Sequence, residues 1–194
     1  MTGIEHVEIA AGAWQLRPPS SEEAAEALVM LQDPLTRRWN PASSVVDLES
    51  ARDWCVRGAD WSTGDHATFS VLDAVTGHLA GNVSLWQVDL ADQRSASIGY
   101  RTAPWARGRG VATTAVGAVT GWAFGALGIE RIELPHDVAN LASCRVAEKC
   151  GYRLEGVLRG SWRDHNGTRR DEHLHAQLAR ESIPPDTLGT GAAP

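Results

Sequence analysis

The stretch Ile98-Gly99-Tyr100-Arg101-Thr102-Ala103-Pro104-Trp105-Ala106-Arg107-Gly108-Arg109-Gly110-Val111-Ala112-Thr113 decides how the rest of this 194-residue chain is read. Ile98 to Arg101 has the character of a strand end. Pro104 closes it, because proline fixes φ and brings no N–H to a ladder. Arg107 to Thr113 then leads into a long apolar-periodic run. Glycines at a helix entrance let a ligand approach the backbone closely. The first N–H groups of the helix have no carbonyl partner and lie at the positive end of its dipole, which makes such a turn an anion site. Arg107 and Arg109 are expected to add positive charge beside it, and a phosphorylated cofactor is the guest that fits.

Three kinds of phosphate loop can be told apart here. A P-loop needs G-x-x-x-x-G-K-[ST], which the chain lacks. A dinucleotide fingerprint needs G-x-G-x-x-G directly after a buried strand. In this chain Thr113 takes the third glycine's place and Pro104-Trp105 intervenes. Arg107-x-x-Gly110-x-Ala112 fits a third pattern, Arg/Gln-x-x-Gly-x-Gly/Ala. With it stand Ile98-Gly99-Tyr100 upstream, and Asn140-Leu141-Ala142-Ser143 and Lys149-Cys150-Gly151-Tyr152 downstream. On these ordered elements the chain resembles the GNAT (Gcn5-related) N-acetyltransferases over roughly residues 14–180. With Trp105 and the long first half, it looks most like their Rim-type branch, named for enzymes that acetylate ribosomal-protein N-termini.

The resemblance implies an α/β fold: a mixed, mostly antiparallel sheet with helices on both faces. The family's fourth and fifth strands splay to admit acetyl-CoA. It implies that Tyr100, Arg101 and Thr102 offer backbone groups to the pantetheine arm, with a bulge near Gly99 causing the splay. Arg107, Gly108, Arg109, Gly110, Val111, Ala112 and Thr113 would take the pyrophosphate. Asn140 would meet the pantetheine, and Ser143 would protonate the departing thiolate. Both also read as ordinary helix-start residues, Asn140 as an N-cap and Ser143 in the first turn. The acceptor implied is a primary amine, on a protein N-terminus or a small molecule, with direct transfer in a ternary complex. A homodimer through the C-terminal strands is also in keeping with the resemblance. The chain departs from the family where many relatives carry a glutamate just before Ile-Gly-Tyr; here stand Ala96-Ser97. Asp89, Glu133, His136, Asp137 or bulk water are then the candidate proton acceptors. The missing carboxylate is also the one support for an alternative, a non-catalytic acyl-CoA-binding module.

Composition agrees with one globular domain over residues 1–180 and a disordered tail over 181–194. Hydrophobic residues make up 43% and charged residues 22%, ordinary values that exclude a disordered chain. No apolar run reaches spanning length, and the N-terminus lacks a basic patch and apolar core, so a cytoplasmic protein with no membrane partner is expected. Net charge is −6, and no basic stripe offers a face to nucleic acid. Residues 1–100 carry 6 Lys+Arg against 14 Asp+Glu, so the basic residues concentrate in the second half. Cys55, Cys144 and Cys150 are an odd number without metal spacing, which reads as reduced thiols. His173 and His175 share a strand face, but no third ligand lies at a suggestive spacing, so no metal is expected.

In chain order the pattern is βααβββαβαββ. A first strand is expected at about 13–17, and a helix follows Ser20-Ser21-Glu22-Glu23 and ends at Asp33-Pro34. A linker over residues 37–41 leads to a helix at about 47–57. Two hairpin strands, 67–72 and 78–86, precede the strand at 95–101. The main helix, about 108–127, carries Gly117, Gly121 and Gly125 at four-residue spacing, read as close packing on the sheet. Trp39, Trp54 and Trp61 are read as core residues first and pocket walls second.

Overall fold

A computed structural model describes residues 3–40, 44–164 and 166–181. Eight strands form one sheet: β1 (Ile9–Ala11), β2 (Trp14–Arg17), β3 (His66–Asp73), β4 (Leu79–Asp89), β5 (Ser95–Thr102), β6 (Arg131–Asp137), β7 (Arg153–Arg163) and β8 (Arg169–Leu178). Among the described residues five α-helices accompany it: α1 (Ala24–Gln32), α2 (Pro34–Trp39), α3 (Leu48–Ala59), α4 (Val111–Ala126) and α5 (Leu141–Lys149). The strand order is β1-β2-β3-β4-β5-β6-β8-β7. Every pairing is antiparallel except β5 with β6, because α4 carries the chain back across the sheet between them. This is the mixed, mostly antiparallel α/β arrangement expected. The family's fourth and fifth strands are β5 and β6 here, since the short β1 precedes the strand anticipated at 13–17.

The splay is present, but its cause differs from the expected one. Ladder pairs join Ser95 to Arg131, Ala96 to Ile132 and Ser97 to Glu133, and the β5–β6 pairing ends there. Ile98 to Thr102 continue to pair with β4 alone, and Leu134 to Asp137 with β8 alone. No bulge lies at Gly99, whose register with β4 is unbroken. The irregularity sits on β4 between Trp86 and Asp89, where Gln87 has φ 52°. Gly99 has another reason to be glycine: a Cβ there would come within 2.7 Å of the Trp86 ring, which lies across it.

Asp33-Pro34 does end α1, and it also starts α2, which runs on into the linker expected over 37–41. Proline is suited to the first helical position, where its missing N–H costs nothing. The Asp33 carboxylate caps the new helix by accepting from Thr36 N at 2.9 Å. The four-residue glycine spacing of α4 also corrects the sequence reading. Val111, Ala115, Val116, Val119, Thr120 and Ala123 are the buried face, whereas Gly117, Gly121 and Gly125 are exposed, with nothing within 4 Å of a Cβ added at any of them. The core beneath α4 is built from Phe69, Val83, Leu85, Ile98, Ile132 and Leu134. Trp61 belongs to it, edge-on to Phe69 at 4.8 Å, and Trp54 packs against it. Among the described residues no helix is long and apolar enough to cross a membrane. Glu181 closes a short 3-10 turn, and residues 182–194, most of the expected tail, lie outside the described residues.

Candidate active site

Where β5 and β6 part, a cleft of about 510 Å³ opens. One wall is β5 from Gly99 to Thr102 with Trp86 of β4. The opposite wall is the end of β6 and the start of α5. The floor of the far end is the loop from Arg107 to Thr113, and α2 with Asn40 forms a rim. Of the twelve residues expected at the site, eleven line this cleft: Tyr100, Arg101, Thr102, Arg107, Gly108, Gly110, Val111, Ala112, Thr113, Asn140 and Ser143.

Arg109 is the exception. Its guanidinium turns away to pair with Asp73 at 2.8 Å and to cover the Trp14 ring at 4.7 Å. Arg107 does line the cleft, yet its guanidinium is ion-paired with Asp33 and donates to Thr36 Oγ1 at 3.3 Å. Both arginines therefore brace the loop against β3 and α2, and their charge is largely matched. Burial pushes the Asp33 carboxyl up, but Arg107 and the Thr36 N–H outweigh it and hold it below the ordinary value. The Arg109 bond, with the Val75 and Thr76 amides, does the same for Asp73.

With both guanidiniums engaged, what the loop presents to the cleft is backbone. Gly108 and Gly110 have φ of 75° and 78°, a left-handed conformation that costs glycine little, and Gly110 is the N-cap of α4. A side chain on the cap would offer the helix a bond; glycine offers none and leaves the approach open. Thr114 N is the first amide of α4 with a carbonyl partner, Gly110 O at 3.0 Å. The amides of Val111, Ala112 and Thr113 before it have no intrahelical acceptor. Unmatched positive charge lines the cleft elsewhere: among the described residues Arg101, Arg145 and Lys149 pair with no carboxylate. Burial pulls the Arg101 guanidinium below its ordinary pKa. Arg145 and Lys149 lie four apart on α5 and so share a face, a spacing the sequence displays.

On the opposite wall, Tyr100 Oη donates to Ser143 Oγ at 2.9 Å. Burial pushes the Tyr100 phenol to about 12, partly offset by that bond, so it is a neutral donor at ordinary pH. Ser143 is 8% exposed. Asn140 Oδ1 caps α5 by accepting from Ser143 N at 3.2 Å, so the capping reading of Asn140 holds, and the residue also faces the cleft.

The candidate proton acceptors separate by position. Asp89 accepts from the Ala91 and Asp92 amides in a turn, and Glu133 accepts from Arg131; neither lines the cleft. His136 and Asp137 do line it. Asp137 is paired with Arg170 at 3.1 Å and accepts from Ala139 N at 2.7 Å. The cleft contains no cysteine among the described residues. Trp39 and Trp86 also line it, the first in keeping with the secondary reading of the tryptophans and the second unanticipated. His173 and His175, read from sequence as lacking further ligands, are joined by His136 and Cys144; one ligand atom from each lies within 4.8 Å of the others.

Comparison with known proteins bears on this geometry. The acetyltransferase (GNAT) domain model matches residues 14–153. YdaF of Bacillus subtilis, named as a ribosomal N-acetyltransferase, is 28% identical over 169 residues, 86% of this chain and 90% of that protein. YjcK of the same organism, named as an N-acetyltransferase, is 38% identical over 103 residues; the match spans 50% of this chain and 57% of YjcK. The solved structure of RimJ from Mycobacterium smegmatis, in complex with CoA-disulfide, superposes with a TM-score of 0.80 at 27% identity, covering 92% of this chain and 89% of that one.

Proposed function

We propose a specific reaction from one premise: this chain belongs to the GNAT family of acetyltransferases and is an acyl-CoA-dependent acetyltransferase. The reaction is transfer of acetyl directly to a primary amine while both substrates occupy the cleft. The observation that carries the reading is a continuous slot. Among the described residues the edge of β5 that faces β6 has no strand partner from Ile98 to Thr102, and this slot runs into a helix start whose first amides have no backbone acceptor. An extended arm can add to such an edge as a strand would, and a diphosphate fits the helix start.

Acetyl-CoA supplies the acyl group as an activated thioester. The amides from Gly108 to Thr113 hold its diphosphate, and backbone groups of Tyr100 to Thr102 align the arm. Arg101, Arg145 and Lys149 add the long-range attraction that the braced Arg107 and Arg109 do not. Asn140 stays a cap whose side chain also borders the arm. An unpaired β5 amide is placed to donate to the carbonyl oxygen as it gains charge. Tyr100 spends its proton on Ser143 Oγ, which leaves the serine hydroxyl hydrogen free to point at the departing sulfur. Ser143 is thus the proton donor and Tyr100 polarises it; water in the open cleft returns a proton through Tyr100, so both hydroxyls end neutral.

With Ala96-Ser97 where a carboxylate would stand and Glu133 held by Arg131, the amine's proton passes to water in the open cleft. The name of YdaF, a ribosomal N-acetyltransferase, favours a protein acceptor, and an N-terminal amine on it is the group we propose. The test is free-thiol release from acetyl-CoA with peptides and small amines, together with the mass gain of the acceptor. Initial-rate lines that intersect are expected, since no cysteine is present in the cleft to carry acetyl; parallel lines, or CoA binding without thiol release on a broad panel, would overturn the reading. The pH midpoint of kcat/KM should follow the amine, near 8 for an α-amine and higher for a lysine side chain. A midpoint that ignores the acceptor would assign the base to the protein instead.

A further inference from the structure

Beside the cleft, and sharing His136 with its wall, the described residues contain a cluster of soft and borderline donors. His136 ends β6, Cys144 sits in the first turn of α5, and His173 and His175 lie on β8. The register explains the meeting. His136 is the direct cross-strand partner of His173, and His175 pairs with Leu134, two residues back on the same face of β6. The start of α5 then lies over that face, because its cap at Asn140 follows β6 after a short turn. The three imidazoles form a packed set with centroids 5.1 to 6.1 Å apart.

Two features of this set call for a ligand. His136 and His175 are 7% and 2% exposed, and the Nε2 atom of each is buried with no hydrogen-bond partner. Two unsatisfied buried ring nitrogens side by side are costly. Their other nitrogens are already used: Nδ1 of His136 lies 3.0 Å from Asp137 O, and Nδ1 of His175 lies 3.5 Å from Tyr152 O. A backbone carbonyl on Nδ1 keeps the proton there and leaves the Nε2 lone pair outward. That is how metal-binding histidines are oriented by their outer shell. Cys144 Sγ lies 3.3 Å from Nδ1 of His173, which brings the third imidazole and the sulfur together.

We propose that His136, Cys144, His173 and His175 form a binding site for a transition-metal ion of borderline softness, with zinc the metal that suits it. Imidazole and thiolate donors exclude calcium and magnesium, which take oxygen. Four protein ligands suit the closed tetrahedral sites of structural zinc. In such a site the donor atoms lie about 3.3–3.8 Å apart, given Zn–N near 2.0 Å and Zn–S near 2.3 Å. The 4.8 Å spread must therefore contract by about 1 Å, within the reach of side-chain torsions. On binding, the Cys144 thiol gives its proton to solvent and its sulfur becomes the thiolate ligand. The half-buried Cys144 and His173 leave an entry path. The ion would staple α5, β6 and β8 together, fixing the helix start that bears Asn140 and Ser143. None of this depends on the acyl-transfer reading.

The full chain, prepared without a histidine tag and stripped with a chelator, is the material for the test. Zinc should be retained at about one per chain after gel filtration and should raise the Tm, with the rise reversed by EDTA. Cobalt should give visible bands together with a near-ultraviolet thiolate charge-transfer band. Cys144→Ser should remove the charge-transfer band and weaken zinc binding at least about 10-fold, the scale even outer-shell changes produce. His175 is deeply buried and its variants can fail to fold, so His173→Asn at a half-buried position serves as the second variant, with the same weakening expected. No rise in Tm, or zinc held equally well by C144S and H173N, would overturn the proposal.

Discussion

At one end of the cleft the groups on offer are the amides of Val111, Ala112 and Thr113; at the other they are the hydroxyls of Tyr100 and Ser143 and the ring of His136. The first end is backbone held by two left-handed glycines and two ion-paired arginines. The second is side chains delivered by three separate elements, β5, β6 and α5. The difference teaches where each end is vulnerable. A backbone site tolerates changes of side chain except where a side chain intrudes, while a side-chain site fails when one atom is removed.

Gly110 is the point at which the first end should break. Any residue there meets the same left-handed backbone, and no atom lies within 4 Å of a Cβ built on it. Gly110→Asn and Gly110→Asp therefore share one strain of about 1 kcal/mol and differ in charge. A carboxylate about 4 Å from a phosphate opposes it by up to about 4 kcal/mol at an effective dielectric of 20. By titration calorimetry, Asp is expected to weaken CoA binding about 100-fold or more, and Asn about 10-fold or less. Equal losses would place the effect in strain and not in the anion.

At the second end, Ser143→Ala is expected to lower kcat about 100-fold, with the KM for acetyl-CoA within about 2-fold. Tyr100→Phe should lose less, about 10-fold, because it acts through Ser143. Steady-state kinetics on both variants check this. A wild-type kcat in S143A would remove the proton donor from the account.

Smaller effects separate the braces from the site. Asn caps helices about as well as Asp, so Asp33→Asn keeps the bond to Thr36 and removes the ion pair to Arg107. A loss of about 0.5 kcal/mol at neutral pH is expected by denaturant unfolding. The Asp33 carboxyl is held below its ordinary 3.8 in the folded chain. Its contribution is therefore complete above that value and is lost as pH falls through the lower folded pKa. The gap between wild type and D33N should close in acid; a gap that widens there would reverse the assignment. Gly121→Ala, on the exposed face of α4, should raise stability by about 0.5–1 kcal/mol and leave CoA affinity unchanged. Destabilisation would mean that this face is covered after all.

The two ends also differed in how far they could be read in advance. The glycine loop is contiguous and its geometry belongs to the backbone, so Arg107-x-x-Gly110-x-Ala112 displays a turn into a helix. What the string could not convey is the direction of Arg109, which is decided by Asp73 and Trp14 from other strands. Pro34 in sequence reads as a stop because proline ends helices; the same ring starts one, and that brings α2 and Trp39 to the rim. The splay was legible as a strand pair, but not its cause, since Gly99 answers to the Trp86 ring on the neighbouring strand. The spacing of Gly117, Gly121 and Gly125 gave a stripe but not its direction. His136, Cys144, His173 and His175 come from three elements, and no linear spacing joins them.

Amide proton–nitrogen correlation spectra show whether the amides opening α4 grip the diphosphate. On adding CoA, the Gly110, Val111, Ala112 and Thr113 amide protons should move downfield as they begin to donate to phosphate oxygens. Pantetheine, which lacks the diphosphate, should leave them in place. CoA that binds while those four resonances stay where they were would contradict the account.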